Sequence, residues 1–159
     1  MIVCGTGHRP NKLGGYSKPV FESLVSTAKV WLQANLLDGD VVISGVALGW
    51  DQALAVAAIR LKIEVHAYVP CAGHSKQWPE ESQRLYKRIL QKCSEVRLIH
   101  PGDYIPACMQ WRNEAMVDAS DAVLALWDGS SGGTGNCIKY AKKKKKDIIN
   151  LWEIHNFEV

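Results

Sequence analysis

The stretch IVCGTGHRP, residues 2–10, is the first structural signal in the chain. A short apolar, β-branched run that passes at once into spaced glycines is typical of a buried strand ending in a loop that approaches another group closely. We therefore predict a strand at Ile2–Gly5 and a binding loop after it. The loop is not a dinucleotide fingerprint of the form G-x-G-x-x-G, because Pro10 stands where the third glycine is needed. No acidic residue ends the second candidate strand either, so the sequence disfavours an NAD site.

The same order of apolar run and helical pattern recurs along the chain. The other candidate strands are Val41–Ser44, Val65–Val69, Val96–Ile99, Ala122–Leu126 and Ile148–Leu151. The candidate helices are an apolar stripe from Phe21 to Leu36, Asp51–Leu61, a helix that starts after Pro79, Pro106–Ala119 and Thr134–Lys145. This alternation predicts an α/β protein, a three-layer Rossmann-like fold with a mainly parallel central sheet flanked by helices. With 159 residues, we expect a single domain over residues 1–159.

Composition excludes several classes of protein. An apolar fraction of 47% and a charged fraction of 22% are globular values and argue against disorder. No apolar run approaches the roughly 18 residues of a membrane span, and the first residues do not resemble a signal peptide. Five scattered cysteines, an odd number, are typical of reduced thiols. We therefore expect a cytoplasmic protein with no membrane partner.

The positive charge is concentrated in one run of five lysines, Lys142–Lys146. Without that run, acidic residues outnumber basic ones by 16 to 14, although the formal net charge of the whole chain is +3. Lysines at a helix end interact favourably with the helix dipole and are easily solvated. A nucleic-acid partner is therefore not expected from the charge pattern.

Chemically informative residues follow several of the candidate strands. In an open parallel sheet the carboxyl ends of the strands meet at one edge, where ligands bind. The predicted ligand-binding residues are Gly5, Thr6, Gly7, His8, Arg9, Ser44, Gly45, Leu48, Gly49, Asp51, Arg112, Asn113, Asp128, Gly132, Gly133 and Thr134. The candidate catalytic carboxylates are Asp51, Glu114 and Asp128.

Two of these segments are glycine-rich and precede a helix, which is the arrangement of an anion site. In the first, Ser44 and Asp51 could equally act as helix caps. The second, SSGGTG at residues 130–135, favours a phosphate cradle more strongly.

Arg112 lies in a mostly apolar helix and needs an anionic or polar partner. That partner could be a ligand phosphate, which we favour, or one of the side chains Glu114, Asp118 and Asp121. Four tryptophans, Trp50, Trp78, Trp111 and Trp127, lie in or beside these segments. They could stack on a base, or they could pack in the core or at a dimer interface.

Cys71 and His74 have the spacing of half a zinc site, but no second pair follows. We predict no metal and no cofactor.

Four motifs in order, TGHRPNKLGGY, SGVALGWDQA, RNEAMVDASDAVLALWDG and GGTGNCIKYA, resemble those of the SLOG superfamily, particularly its YspA/YpsA-related members. The resemblance implies a Rossmann-like fold and a pocket for a nucleotide or a nucleotide-derived ligand. The superfamily includes the LOG-type phosphoribohydrolases, whose pattern is P-G-G-x-G-T-x-x-E with M-x-x-R-K upstream. Here Arg112 fits the arginine of that pattern, but Asn113 replaces the lysine and Cys137 replaces the glutamate. These departures disfavour hydrolysis of the LOG type.

Three functions remain open on the sequence. The first is a protein that binds a nucleotide-derived small molecule as a sensor or sequestering protein. The second is an N-glycosidase acting on a nucleoside 5′-monophosphate, with one of the candidate carboxylates near the anomeric carbon. The third is an interaction protein with a vestigial pocket. A homodimer is compatible with each of them.

Overall fold

The computed structural model describes residues 1–157, which form one central sheet with helices on both faces. The strands are β1 (Ile2–Gly7), β2 (Val41–Ser44), β3 (Glu64–Cys71), β4 (Glu95–His100), β5 (Ala122–Leu126) and β6 (Asp147–Asn150). The helices are α1 (Lys18–Asn35), α2 (Trp50–Arg60), α3 (Glu80–Lys92), α4 (Pro106–Asp118) and α5 (Gly133–Lys143). A short 3₁₀ turn at Pro10–Lys12 follows β1.

The strand order is β4-β3-β2-β1-β5-β6, and every neighbouring pair is parallel. This confirms the predicted α/β, Rossmann-like class. The chain builds outward from β1 to β4 and then returns to add β5 on the other side of β1. Because parallel crossovers are right-handed, this reversal puts α1, α2 and α3 on one face of the sheet and α4 and α5 on the other. The contacts of α2 with α1 and α3, and of α4 with α5, agree with that division.

Successive side chains of the central strands point to opposite faces of the sheet and form the two apolar cores. Val3 of β1 and Leu124 of β5 belong to the larger apolar cluster, with α1, α2 and α3. Cys4, which follows Val3, and Val123, which precedes Leu124, belong to the smaller cluster, with α4 and α5. The period-two pattern of a strand buried on both faces accounts for this division.

Strand β1 is longer than the sequence predicts, because it continues through the Gly-Thr-Gly segment. Residues 5–7 pair with Leu124–Leu126 of β5 in parallel register. Because glycine has a low intrinsic preference for strands, a prediction from local sequence ends this strand too early. Pairing with β5 satisfies the backbone of this segment and keeps it extended.

Gly5 and Gly7 are required by packing between the strand and α2. A Cβ atom at Gly7 would lie 2.5 Å from Cδ1 of Trp50, and one at Gly5 would overlap the side chain of Leu54. The indole of Trp50 is fully buried in this space, and its Nε1 donates a hydrogen bond to the carbonyl oxygen of Leu124 at 3.2 Å. The glycines therefore admit a large side chain beneath the strand, which the prediction of a ligand-approaching loop did not anticipate.

The other boundaries differ from prediction by a few residues at most. Strand β3 continues to Cys71, helix α2 begins at Trp50, and β6 ends before Leu151. Two lysines of the basic run, Lys142 and Lys143, form the last turn of α5. All five cysteines are free thiols. No helix in residues 1–157 is long and apolar enough to cross a membrane.

Replacing Gly7 with alanine tests the close approach of α2 to β1. We expect Gly7→Ala to lower the free energy of unfolding by about 2 kcal/mol or more, since overpacking a core costs roughly 1–3 kcal/mol. The measurement is equilibrium urea denaturation. The matched control is Gly133→Ala, where an added Cβ meets no atom within 4 Å. Equal stability of the two variants would contradict this account of Gly7.

Candidate functional site

A cleft of about 430 Å³ opens where β1 and β5 end, at the point where the strand order reverses. This is the place where open α/β sheets bind ligands. We call it the switch-point cleft. Eleven of the predicted residues line it: Gly5, Thr6, Gly7, His8, Arg9, Asp51, Arg112, Asn113, Gly132, Gly133 and Thr134. Ser130, Ser131 and Gly135, which belong to the predicted phosphate cradle at residues 130–135, line it as well. The remaining lining residues were not among the predicted ones: Asn11, Lys12, Ala47, Met109 and Met116.

One signal for the missed residues was present in the sequence. Met109, Arg112 and Met116 recur at the three- and four-residue spacing of one helix face. Once Arg112 was selected, that spacing pointed to the two methionines. Lys12 carried no comparable signal, because only the loop geometry brings it to Ser130.

Arg112 is buried and is held by backbone and amide oxygens. Its Nη1 donates to the carbonyl oxygen of Gly45 at 2.9 Å, and its Nε donates to Oδ1 of Asn113 at 3.0 Å. The acidic side chains that the sequence offered as alternative partners are not among its hydrogen-bond partners. Burial lowers the pKa of Arg112, and the neighbouring Asp51 carboxyl opposes that shift.

Gly45 is needed so that Arg112 can reach this position. An added Cβ there would overlap Nη1 of Arg112 and lie 2.9 Å from Oδ2 of Asp51. Gly45 therefore packs against the buried side chains of Arg112 and Asp51, and it does not line the cleft.

Asp51 is the buried carboxyl of the switch-point cleft. It is 6% exposed, and its Oδ1 has no hydrogen-bond partner within the described chain. Burial raises the pKa of Asp51 to about 6, although the Arg112 charge and a hydrogen bond from the backbone of Ala47 act in the opposite direction. Near neutral pH this carboxyl can therefore change its protonation state.

A contact between His8 and Asp128 joins the loop after β1 to the loop before α5. Nε2 of His8 lies 2.8 Å from Oδ1 of Asp128, and the backbone N–H of Ser130 donates to the same oxygen at 2.9 Å. Hydrogen bonds from the hydroxyl and backbone of Ser130 lower the pKa of Asp128. Nζ of Lys12 in turn donates to Oγ of Ser130 at 2.7 Å. Asp128 thus organises the loop before α5 but does not line the cleft, and its carboxylate is engaged in hydrogen bonds within the protein.

The first turn of α5 lines the cleft together with Arg9 and Lys12. Gly132 precedes the helix with φ of 141°, a conformation that side chains rarely adopt, and no side chain caps the helix. An added Cβ at Gly133 would meet no atom within 4 Å, so the space beside this turn is open. The first backbone N–H groups of a helix have no partner inside the helix, which suits them to an anion.

Cys137, one turn into α5, does not line the cleft. Its side chain is fully buried, and burial raises the pKa of the thiol to about 11. The position where LOG-type enzymes carry a glutamate therefore holds an un-ionised thiol in the core.

Four further predicted residues also lie outside the cleft. Ser44 is buried; its Oγ donates to the carbonyl oxygen of Asp51 at 2.8 Å and accepts from the N–H of Val46 at 3.0 Å. Leu48 and Gly49 line a different groove, beside α1 and α3. Glu114 is not a cleft residue; its charge acts on Tyr140 of α5.

Neither proposed side-chain cap is used at the start of α2. Gly49 is the N-cap residue, with φ of 91° and no side-chain hydrogen bond. A Cβ there would lie 2.5 Å from the carbonyl oxygen of His8, so glycine allows the helix to begin against the β1 loop.

The four tryptophans singled out from the sequence have separate environments, and none lines the switch-point cleft. Trp50 is a core residue, whereas Trp127 donates from Nε1 to the carbonyl oxygen of Ser130 at 2.8 Å and supports that loop. Trp111 is 47% exposed on α4. Trp78 lines a second cleft beside the β3–α3 loop.

The sequence model of the YspA SLOG family matches residues 3–158. The chain belongs to the YspA SLOG family. This YspA SLOG protein is 36% identical over 137 residues to an uncharacterized SPbeta prophage-derived protein, YoqJ, of Bacillus subtilis. That alignment covers 74% of this chain and 79% of YoqJ.

Solved structures with a similar fold include two DNA processing proteins, both named DprA. The Streptococcus pneumoniae protein aligns with a TM-score of 0.65 and 20% identity over 92% of this chain. The chain spans 48% of that protein, about half its length. The Helicobacter pylori protein aligns with a TM-score of 0.67 and 18% identity, over 93% of this chain and 63% of its own. At these identities the likeness concerns the fold.

Replacing Asp51 with asparagine tests the environment of the buried carboxyl. Because its pKa is about 6 in the folded protein against an ordinary value of 3.8, folding takes up a proton between about pH 4 and pH 6. The contribution of this carboxyl to the free energy of unfolding is therefore present at low pH and falls as pH rises. The loss is about 3 kcal/mol, because each unit of difference between the folded and unfolded pKa is worth about 1.4 kcal/mol. We expect Asp51→Asn to remove this loss. In denaturant titrations between pH 4 and pH 8, the free energy of unfolding of the variant should therefore rise relative to that of the wild type as pH increases.

Asp128→Asn is the matched control, because the pKa of Asp128 is lowered. The stabilisation from Asp128 is complete above about pH 4, near the ordinary pKa of an aspartate, and is lost only as pH falls below that value. Between pH 4 and pH 8 we therefore expect the stability of this variant to differ from that of the wild type by a constant amount. A pH dependence of Asp51→Asn equal to that of the wild type would contradict the environment assigned to Asp51.

Proposed function

We propose that this protein binds a nucleotide or nucleotide-derived small molecule in the switch-point cleft, as a sensor or sequestering protein. The observation that carries the proposal is the open first turn of α5, which lines the same cleft as two cationic side chains. A 5′-phosphate would accept hydrogen bonds from this turn and complement the positive end of the helix dipole.

Two exposed cations of the β1 loop support binding of an anion. The guanidinium of Arg9 has no hydrogen-bond or ion-pair partner among residues 1–157 and lines the cleft. Lys12 is held at the cleft by its bond to Ser130. Charge-assisted hydrogen bonds from such groups to phosphate are among the stronger ones in proteins.

The unpaired oxygen of Asp51 supports a ligand that also carries hydroxyl groups. A buried acceptor without a partner is costly, and a hydrogen bond from a sugar hydroxyl would remove that cost. Phosphate recognition at α5 together with hydroxyl recognition at Asp51 describes a ligand with both groups, as a nucleotide has.

The nature of the relatives guides the choice of ligands. Family membership and the shared fold fit a role related to nucleotides or to DNA processing. The Helicobacter pylori DprA structure concerns single-stranded DNA binding. The charge pattern of the present chain does not predict a nucleic-acid partner. Because of this neighbour, however, a short single-stranded oligonucleotide is a useful ligand to test beside mononucleotides.

Calorimetric titration with 5′-AMP and adenosine tests the proposed phosphate site. We expect 5′-AMP to bind at least tenfold more tightly than adenosine, and Arg9→Ala and Lys12→Ala each to weaken 5′-AMP by about tenfold, or about 1.4 kcal/mol. Lys29→Ala, on the exposed face of α1, is the control and should bind as the wild type does. Equal binding of adenosine and 5′-AMP would refute the phosphate site.

A second candidate is N-glycosidic hydrolysis of a nucleoside 5′-monophosphate, and Asp51 is the observation that favours it. It is the only one of the three candidate carboxylates that lines the cleft, and its pKa of about 6 suits a proton donor or acceptor near neutral pH. In this reaction water adds its oxygen to the anomeric carbon, the bond to the base nitrogen breaks, and the base leaves with a proton.

Chromatographic assay for free adenine from 5′-AMP separates hydrolysis from binding. If the protein is a hydrolase, we expect Asp51→Asn to reduce adenine release by at least a hundredfold while the variant remains folded. Glu114→Gln, outside the cleft, should leave the rate unchanged. Tight binding of 5′-AMP without adenine release would exclude hydrolysis of this substrate and leave the binding function.

A further inference from the structure

A second cleft of about 480 Å³ lies beside the first, between the β3–α3 loop and the β4–α4 loop. The two clefts share Arg9 and Met109 in their walls. Each has the volume of a small-molecule site, roughly 300–1,000 Å³. A mononucleotide in the switch-point cleft would therefore leave a neighbouring cleft of similar size available.

One wall of the second cleft is rigid and aromatic. The rings of His74 and Trp78 meet edge to face with centroids 4.8 Å apart, and Tyr86 of α3 packs against Trp78 at 5.3 Å. Nε2 of Gln83 donates to the carbonyl oxygen of Trp78 at 2.9 Å and holds the loop against α3. The wall is thus preformed, which lowers the entropy cost of binding.

The lining of the second cleft also includes an exposed aromatic ring and a positive charge. Tyr104 is 63% exposed, so its ring is available to stack on a planar group. Lys76 lines the same cleft and, like Arg9, makes no side-chain hydrogen bond or ion pair within the described chain. Aromatic faces beside free cations are the surface that binds a base and its phosphate.

His74 adds an uncharged polar group to the aromatic wall that it forms with Trp78. Neither of its ring nitrogens has a hydrogen-bond partner in the described structure, and burial together with the charges of Arg112 and Arg9 lowers its pKa to about 3. The imidazole is therefore neutral at physiological pH and adds no positive charge beside Lys76.

Arg9 stands between the two clefts. Its charge acts on Asp51 and Arg112 in the first cleft and on His74 in the second. An exposed guanidinium at the boundary of two adjacent clefts suits a phosphate that joins two units, one on each side.

We propose that the ligand belongs to the dinucleotide class: two nucleoside units joined through phosphate, with one unit in the switch-point cleft, the other stacked in the second cleft, and Arg9 on the linking phosphate. The proposal rests on the proposed function, because the first unit occupies the nucleotide site described there. The linkage can be a phosphodiester or a pyrophosphate, since both present an anionic bridge.

Calorimetry with three adenine ligands tests the proposal: 5′-AMP, the 5′-phosphorylated diadenylate with a phosphodiester link, and diadenosine diphosphate with a pyrophosphate link. We expect at least one dinucleotide to bind tenfold or more tightly than 5′-AMP, and the tighter of the two identifies the linkage. Lys76→Ala and Tyr104→Ala should each reduce that advantage at least fivefold and leave 5′-AMP binding unchanged.

Matched controls lie elsewhere on the surface. Tyr16→Ala removes an aromatic ring of similar exposure, 61%, outside both clefts, and Lys92→Ala removes a lysine at the end of α3. Neither should alter the dinucleotide advantage. If both dinucleotides bind no more tightly than 5′-AMP, or if their advantage survives in both cleft variants, the second subsite is refuted while the mononucleotide site stands. If none of the three ligands binds, the proposed nucleotide function fails as well.

Discussion

The burial of Trp50 beneath the end of β1 is the contact on which the site depends. Its indole occupies the space that a side chain at Gly7 would need and donates a hydrogen bond to the backbone of β5 through Leu124. The same residue begins α2, and its backbone N–H donates to the carbonyl oxygen of His8 at 3.2 Å. One side chain thus fixes the distance between α2 and the two strands whose ends form the cleft.

Asp51, the next residue in the chain, is carried into the cleft by this packing. Its buried carboxyl and the Arg112 guanidinium from α4 both pack against Gly45, where a single added Cβ would meet the two of them. Buried charges are weak contributors to stability, because desolvation offsets much of their attraction. A raised pKa at Asp51 and an oxygen without a partner are features that occur more often at functional sites than in structural ion pairs.

Much of the fold could be predicted from the sequence, because periodicity and strand–helix alternation report local burial. The candidate site was predicted in part. Arg112 was predicted from its charge in an apolar helix, and the structure buries it, but its hydrogen-bond partners include Gly45 and Asn113, which no charge pattern could indicate. Glu114 was predicted because its segment was expected to face the pocket, but it does not line the cleft, and its charge acts on Tyr140 of α5. Choosing between adjacent residues of a short helix requires knowing which face meets the sheet, and α4 has no strong amphipathic pattern to indicate it.

The sequence alone determined the α/β class, the resemblance to the SLOG proteins and the segments that meet at the carboxyl edge of the sheet. These depend on short-range patterns of apolar residues and glycines. Only the tertiary structure decided that Gly5 and Gly7 belong to a paired strand, that they accommodate Leu54 and Trp50, and that β1 and β5 are neighbours. The reason is physical: a glycine gives the backbone freedom to approach, but the group that it approaches is supplied by a helix more than 40 residues away.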